Sequence, residues 1–110
     1  MQHSKVPTLE QQKILWEWCG FSYDYWGDKL SIIYPDNQTI ADMSPIVDLN
    51  NLFKWAVPKV RKQFHIHFHS TNNKTEWRIV LSNANETIYG RDNDPAMALC
   101  LAISKVIDNE

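Results

Sequence analysis

The chain has 110 residues, enough for one small folded core and too few for two large ones. Hydrophobic residues make up 44% and charged residues 22%, which excludes wholesale disorder. The formal net charge of −2 argues against a dedicated nucleic-acid module, which ordinarily carries a basic excess.

The charge is unevenly spread. Residues 1–47 hold three basic and six acidic side chains, and residues 48–110 hold eight and seven. Cys19 and Cys100 both sit in apolar, helical runs, where a cysteine serves as a small hydrophobe. No disulfide framework and no paired CxxC ligand set is present. The N-terminal MQHSKVPTLEQQ is too polar for a signal peptide, and no apolar run reaches the roughly 20 residues of a spanning helix. A cytoplasmic protein without a membrane segment is expected. The sequons at Asn37, Asn73 and Asn85 then carry no meaning.

In chain order, a loose lead-in over 2–6 precedes a helix over Leu9–Cys19. Thr8 is its N-cap, Gln11 completes a capping box, and Gly20 is the natural stop. Ile14, Leu15, Trp18 and Cys19 form its apolar stripe, with Trp16 off it. Residues 21–47 are rich in aromatics but lack a clean period. They read as a long ordered loop with one short strand, Leu30–Tyr34, and a turn at 35–37. Asp48 caps a second helix whose Leu49, Leu52, Phe53, Ala56, Val57 and Val60 recur at helical spacing. Pro58 lies inside it and predicts a kink, because proline removes one hydrogen bond and clashes with the preceding turn.

A meander follows: QFHIHFHS (63–70), EWRIVLS (76–82) and ETIYG (86–90), with TNNK between the first two. Alternation gives this antiparallel set one apolar face. Asp94 and Pro95 start the last helix, with Ala96, Leu99, Cys100, Ile103, Val106 and Ile107 as its buried stripe. The expected fold class is therefore α+β. A small antiparallel sheet of three to four strands carries helices on both faces, an α-β-α sandwich of order α-(loop/β)-α-β-β-β-α. One domain spans 1–110, with its ordered core over about 8–107.

Three chemistries are open to a chain of this frame. His65, His67 and His69 point to one side of a strand, so His65 and His67 with Glu76 from the neighbouring strand form the candidate metal set. Histidines in one row do not converge, however. The plainer reading is a polar sheet face paired with Glu76 and Arg78, with no metal and no cofactor. The order α-β-β-β-α over 48–107 matches double-stranded RNA-binding domains, but RDNDPAMA opens the last helix with acids where that mode needs cations. Lys59, Arg61, Lys62, His65, His67 and Arg78 remain as the candidate nucleic-acid residues of the alternative reading. No nucleophile elbow and no glycine-rich phosphate loop occurs, and no catalytic residue is assigned. The aromatic residues Trp16, Tyr23, Tyr25, Trp26 and Trp55 are the candidate protein-binding set, since tyrosine and tryptophan are effective interface anchors.

WEWCGF at the end of the first helix, the DLNNLFKWAVPKV helix, the tryptophan of the second meander strand and the terminal DPAMALCLAISKVI run together resemble the phage ABA sandwich domain family over about 9–107. The resemblance implies helices on both sides of the sheet and expression in a bacterial host cell. It supplies no catalytic or ligand-binding residue. The expectation is a phage or prophage accessory protein, not an enzyme. It would act through contact with an unknown host or phage protein or through self-association as a homodimer.

Overall fold

The computed structural model describes residues 7–43, 45–70 and 75–110. The lead-in expected over 2–6 and the TNNK segment at 71–74 lie outside them. The chain falls into two compact units, one over Pro7–Ile46 and the other over Val47–Glu110. Both mix helix and antiparallel sheet, and the fold is α+β with the helix and strand order expected for the second half.

In the first unit, α1 (Leu9–Trp18) begins as the sequence predicts. Thr8 Oγ1 accepts from the Gln11 amide at 3.1 Å, and the Gln11 side chain returns the bond to the Thr8 amide at 2.8 Å. It ends in a Schellman motif, with Phe21 N–H on the Trp16 carbonyl and Gly20 N–H on the Glu17 carbonyl. Gly20 takes φ +107°, a conformation open to glycine at little cost. The buried side of α1 differs from the expected stripe. Leu15 and Trp16 are buried, while Ile14 is 47% exposed. The run ILWEWC offers overlapping apolar stripes. Trp16 prevails because its ring meets Phe21 at 5.4 Å and its Nε1–H reaches the Pro45 carbonyl at 3.2 Å.

The stretch expected as a loop with one strand is instead a three-stranded antiparallel sheet, β1 (Ser22–Trp26), β2 (Lys29–Ile33) and β3 (Ile40–Ala41). Trp26 pairs with Lys29, leaving Gly27 and Asp28 as a two-residue hairpin loop. Gly27 has φ +67° and Asp28 does not share a positive φ. That is the pattern of a type II′ turn, whose first central position requires glycine. The turn before β3 is held by Asp36, whose Oδ1 accepts from the amides of Gln38 and Thr39, both at 2.9 Å.

In the second unit, Asp48 caps a continuous helical stretch made of α2 (Leu49–Asn51), a π-helical segment (Leu52–Ala56) and α3 (Val57–Val60). Pro58 explains the π segment. It lacks an N–H and crowds the carbonyl four residues back. Widening the preceding turn so that Val57 N–H reaches the Leu52 carbonyl makes room for the ring. The apolar side survives this adjustment, with Leu52, Ala56, Val57 and Val60 buried.

The meander forms as expected: β4 (His65–Ser70), β5 (Trp77–Ser82) and β6 (Thr87–Asp92), in that order across the sheet. The register pairs Ile66 with Leu81 with Ile88, and Phe68 with Ile79 with Gly90, on one face. Against this face packs α4 (Pro95–Asp108), started by Asp94 Oδ1 on the Ala96 amide at 2.8 Å. The core lies between them, with Ile79, Leu81, Leu99 and Ile103 fully buried. Cys100 sits within it, and burial pushes its thiol pKa up, partly offset by a hydrogen bond from Ser104.

Candidate functional site: a groove beside an open strand edge

The two edges of the C-terminal sheet differ. At β6, Lys105 from α4 donates from Nζ to the Tyr89 carbonyl at 2.6 Å, so a cation covers that edge. Tyr89 therefore points its backbone polar groups away from β5. The Asn83 N–H to Glu86 carbonyl bond at 3.0 Å lies three residues along each strand from the Val80–Tyr89 pair, and this odd offset fits the same alternation. In a regular antiparallel ladder Val80, opposite Tyr89, must then direct its groups to β4 and bond His67. His65, His67 and His69 thus pair inward, while Ile66 and Phe68 turn their N–H and C=O groups outward along an edge that no strand of the described residues covers.

Beside this edge runs an open groove of about 920 Å³. One wall is the helical stretch, through Phe53, Val57, Pro58, Arg61 and Lys62, and the other is Phe64 to Phe68. Phe53 is 48% exposed and stacks on Phe68, with ring centroids at 5.6 Å and planes 25° apart. The local fold makes this wall. The α3 stretch ends with the Phe64 amide on the Val60 carbonyl at 3.0 Å, turning the chain straight into β4. Asn83 Nδ2 donates to the Gln63 carbonyl at 3.1 Å and ties that corner to the β5–β6 turn. A second hollow of about 470 Å³ shares Arg61, Lys62, Phe64 and His65 and continues to Asn83 and Ala84. Among the described residues neither hollow is lined by an aspartate or glutamate.

The opposite face of the sheet is exposed at His65, His67, His69, Arg78 and Tyr89. The rings of His67 and His69 lie 6.3 Å apart in a row along the strand. Across the strands His69, Arg78 and Arg91 stand opposite one another. Glu76 does not pair with the histidines. Its Oε1 accepts from Arg91 Nη2 at 2.7 Å and Nε at 3.2 Å, because a bidentate guanidinium is the better partner. This places the candidate metal trio of His65, His67 and Glu76 in no convergent geometry. Among the described residues no group of three or more histidine, cysteine or acidic side chains gathers for a metal.

Of the candidate nucleic-acid residues, Arg61 and Lys62 share the groove with His65 and His67. Lys59 is exposed on α3, and Arg78 is exposed on the open face one strand further in. The acids expected to repel phosphates at the last helix are engaged locally, Asp92 Oδ1 with the Asp94 amide at 2.9 Å and Asp94 as the cap.

The candidate protein-binding aromatics do not form one patch. Trp16 is fully buried, which removes it from any exposed set. Tyr23 and Tyr25 share one face of β1, where Lys13 Nζ lies 5.7 and 5.6 Å from their ring centres. Trp26, 70% exposed, alternates to the other face. Trp55 belongs to the second unit, half-buried, with Lys54 Nζ 4.9 Å from its ring centre.

The groove residues Phe53, Ile66 and Phe68 were read from sequence only as core. For Ile66 and Phe68 the signal is the apolar half of FHIHFH on a strand that opens the meander, the natural place for an edge. No helix among the described residues is long and apolar enough to cross a membrane. No protein-family model, no curated protein and no solved structure matches this chain.

Proposed function

We propose that this is a non-enzymatic accessory protein that works through protein–protein contact, with the groove beside β4 as its contact surface. The observation that supports it is the edge at Ile66 and Phe68, uncovered among the described residues and lying against an open hollow of about 920 Å³ with Phe53, Val57 and Phe68 in its lining. Strand addition at such an edge gains main-chain hydrogen bonds, and the hollow receives alternate side chains. Self-association by pairing β4 with a second copy belongs to the same reading. The setting, a phage or prophage protein in the cytoplasm of a bacterial host, rests on the resemblance of the helical runs to the phage ABA sandwich domain family.

The test is site-specific photo-crosslinking in infected host cells from position 53, beside the groove, and from position 14, equally exposed on α1. Discrete adducts from position 53 and none from position 14 are expected. No adduct from position 53, with purified protein monomeric in sedimentation, ends the reading.

A second reading, weak nucleic-acid binding, is favoured by one observation. Arg78 and Arg91 stand directly opposite each other across the strands, beside His69, and two such like charges are unfavourable unless an anion lies nearby. Glu76 already meets Arg91, which places this reading second. A salt-dependent gel shift with Lys59, Arg61, Lys62, His65, His67 and Arg78 as determinants is its expectation, and no shift at low salt excludes it.

A further inference from the structure

We infer, building on β4 as the contact edge, that its occupant is an extended acidic segment of another protein, added as a fourth strand with apolar side chains alternating with carboxylates. Ile66 and Phe68 direct their N–H and C=O groups at the incoming strand, so the main chain supplies the pairing. The side chains of an added strand alternate between the faces just as those of β4 do. Those on the helical side enter the apolar hollow between Phe53, Val57 and Phe68. Those on the other side stand next to His65, His67 and His69.

Charge decides what those second positions carry. Arg61 and Lys62 are exposed at the end of the groove where β4 begins, and among the described residues no aspartate or glutamate lines the groove or its continuation. The chain as a whole is net negative, so this cationic strip is a local feature rather than a reflection of composition. Through the second hollow Arg61 and Lys62 share a surface with His65, Ser82 and Asn83, so carboxylates at that end of the added strand come within their reach. A second copy fits less well. Antiparallel pairing of β4 with itself sets two histidine rows side by side on one face. Lys105 already occupies the Tyr89 carbonyl on the β6 edge, which makes β4 the more open acceptor strand among the described residues.

The experiment uses the full ¹⁵N-labelled chain and two eight-residue peptides, one alternating leucine with glutamate and one alternating leucine with lysine. Amide exchange is followed residue by residue. The glutamate peptide should slow exchange at Ile66 and Phe68, whose amides face outward, and leave the already paired His65 and His67 amides unchanged. The lysine peptide should bind about tenfold more weakly or not at all, and the double variant Arg61→Glu, Lys62→Glu should weaken the glutamate peptide by about tenfold. Both substituted residues are exposed, and an unchanged spectrum elsewhere verifies that the variant is folded.

Equal binding of both peptides at Ile66 and Phe68 overturns the acidic preference and leaves the contact edge standing. Protection of the same amides on raising the protein concentration alone identifies a second copy as the occupant and likewise overturns the inference. A response at these residues to a single-stranded oligonucleotide but to neither peptide overturns both the inference and the contact reading. So does the absence of any response at β4 to either peptide or to concentration.

Discussion

At Gly90 the backbone of α4 lies directly against β6. A Cβ added there would collide with the Ala98 carbonyl oxygen and come within 2.6 Å of the Ala102 nitrogen. Both obstacles are helix backbone, which cannot rotate aside, and the facing residues are alanines because nothing larger fits. Gly90→Ala therefore forces the helix from the sheet, at a cost of about 1–3 kcal/mol or more, measurable by urea denaturation. Cys100 gives a second residue-scale test. Buried with its pKa raised by desolvation, it should resist alkylation in the native protein and react on unfolding. Below the ordinary thiol value of 9.0 both states hold the proton and stability is unaffected. Above it only the unfolded state releases the proton freely, so this thiol lowers stability as pH rises past that value. Cys100→Ala should reduce that alkaline loss, as read from midpoints at pH 7 and pH 10.

At the scale of elements, two short signals carry more than their length suggests. Gly27–Asp28 between β1 and β2 is a complete hairpin instruction, since glycine at the first loop position supplies the positive φ that a type II′ turn needs. Aromatic density around it hid the alternation, because Tyr23, Tyr25 and Trp26 place large rings on both faces of β1. Pro58 shows the opposite case. The disturbance was legible, but its form was not, since a kink and a widened π turn relieve the same clash. The asymmetry of the second sheet yields a prediction of its own. Hydrogen exchange should be fast at the Ile66 and Phe68 amides and slow at His65 and His67, despite the exposed histidine side chains. The reverse alternation would show that β4 turns its other edge inward, and the groove would lose its main-chain donors.

Across the whole molecule, charge and apolar surface are distributed against the average. A chain of net charge −2 carries a strip of Arg61, Lys62 and histidines along one groove. Attraction of an acidic partner to such a strip acts through solvent, over a screening length of about 10 Å at 0.1 M salt. Binding of the alternating leucine–glutamate peptide should accordingly weaken between 50 and 500 mM salt, chiefly through a slower association rate in stopped-flow measurements. An affinity independent of salt would assign the contact to the apolar hollow alone.

The sequence by itself determined the α+β class, the caps at Thr8, Asp48 and Asp94, the register-defining alternation of the meander and the buried stripe of the last helix. Each of these depends on neighbours a few residues apart, where periodicity and capping chemistry act. The tertiary structure alone decided which of several overlapping stripes α1 buries, that Glu76 answers Arg91 rather than a histidine, and that, among the described residues, Lys105 meets the β6 edge while no strand covers β4. These are choices among partners distant in sequence, and local pattern is silent on them. FHIHFH states a strand and its two faces, but whether its third dimension, the edge, is open depends on how the rest of the chain packs around it.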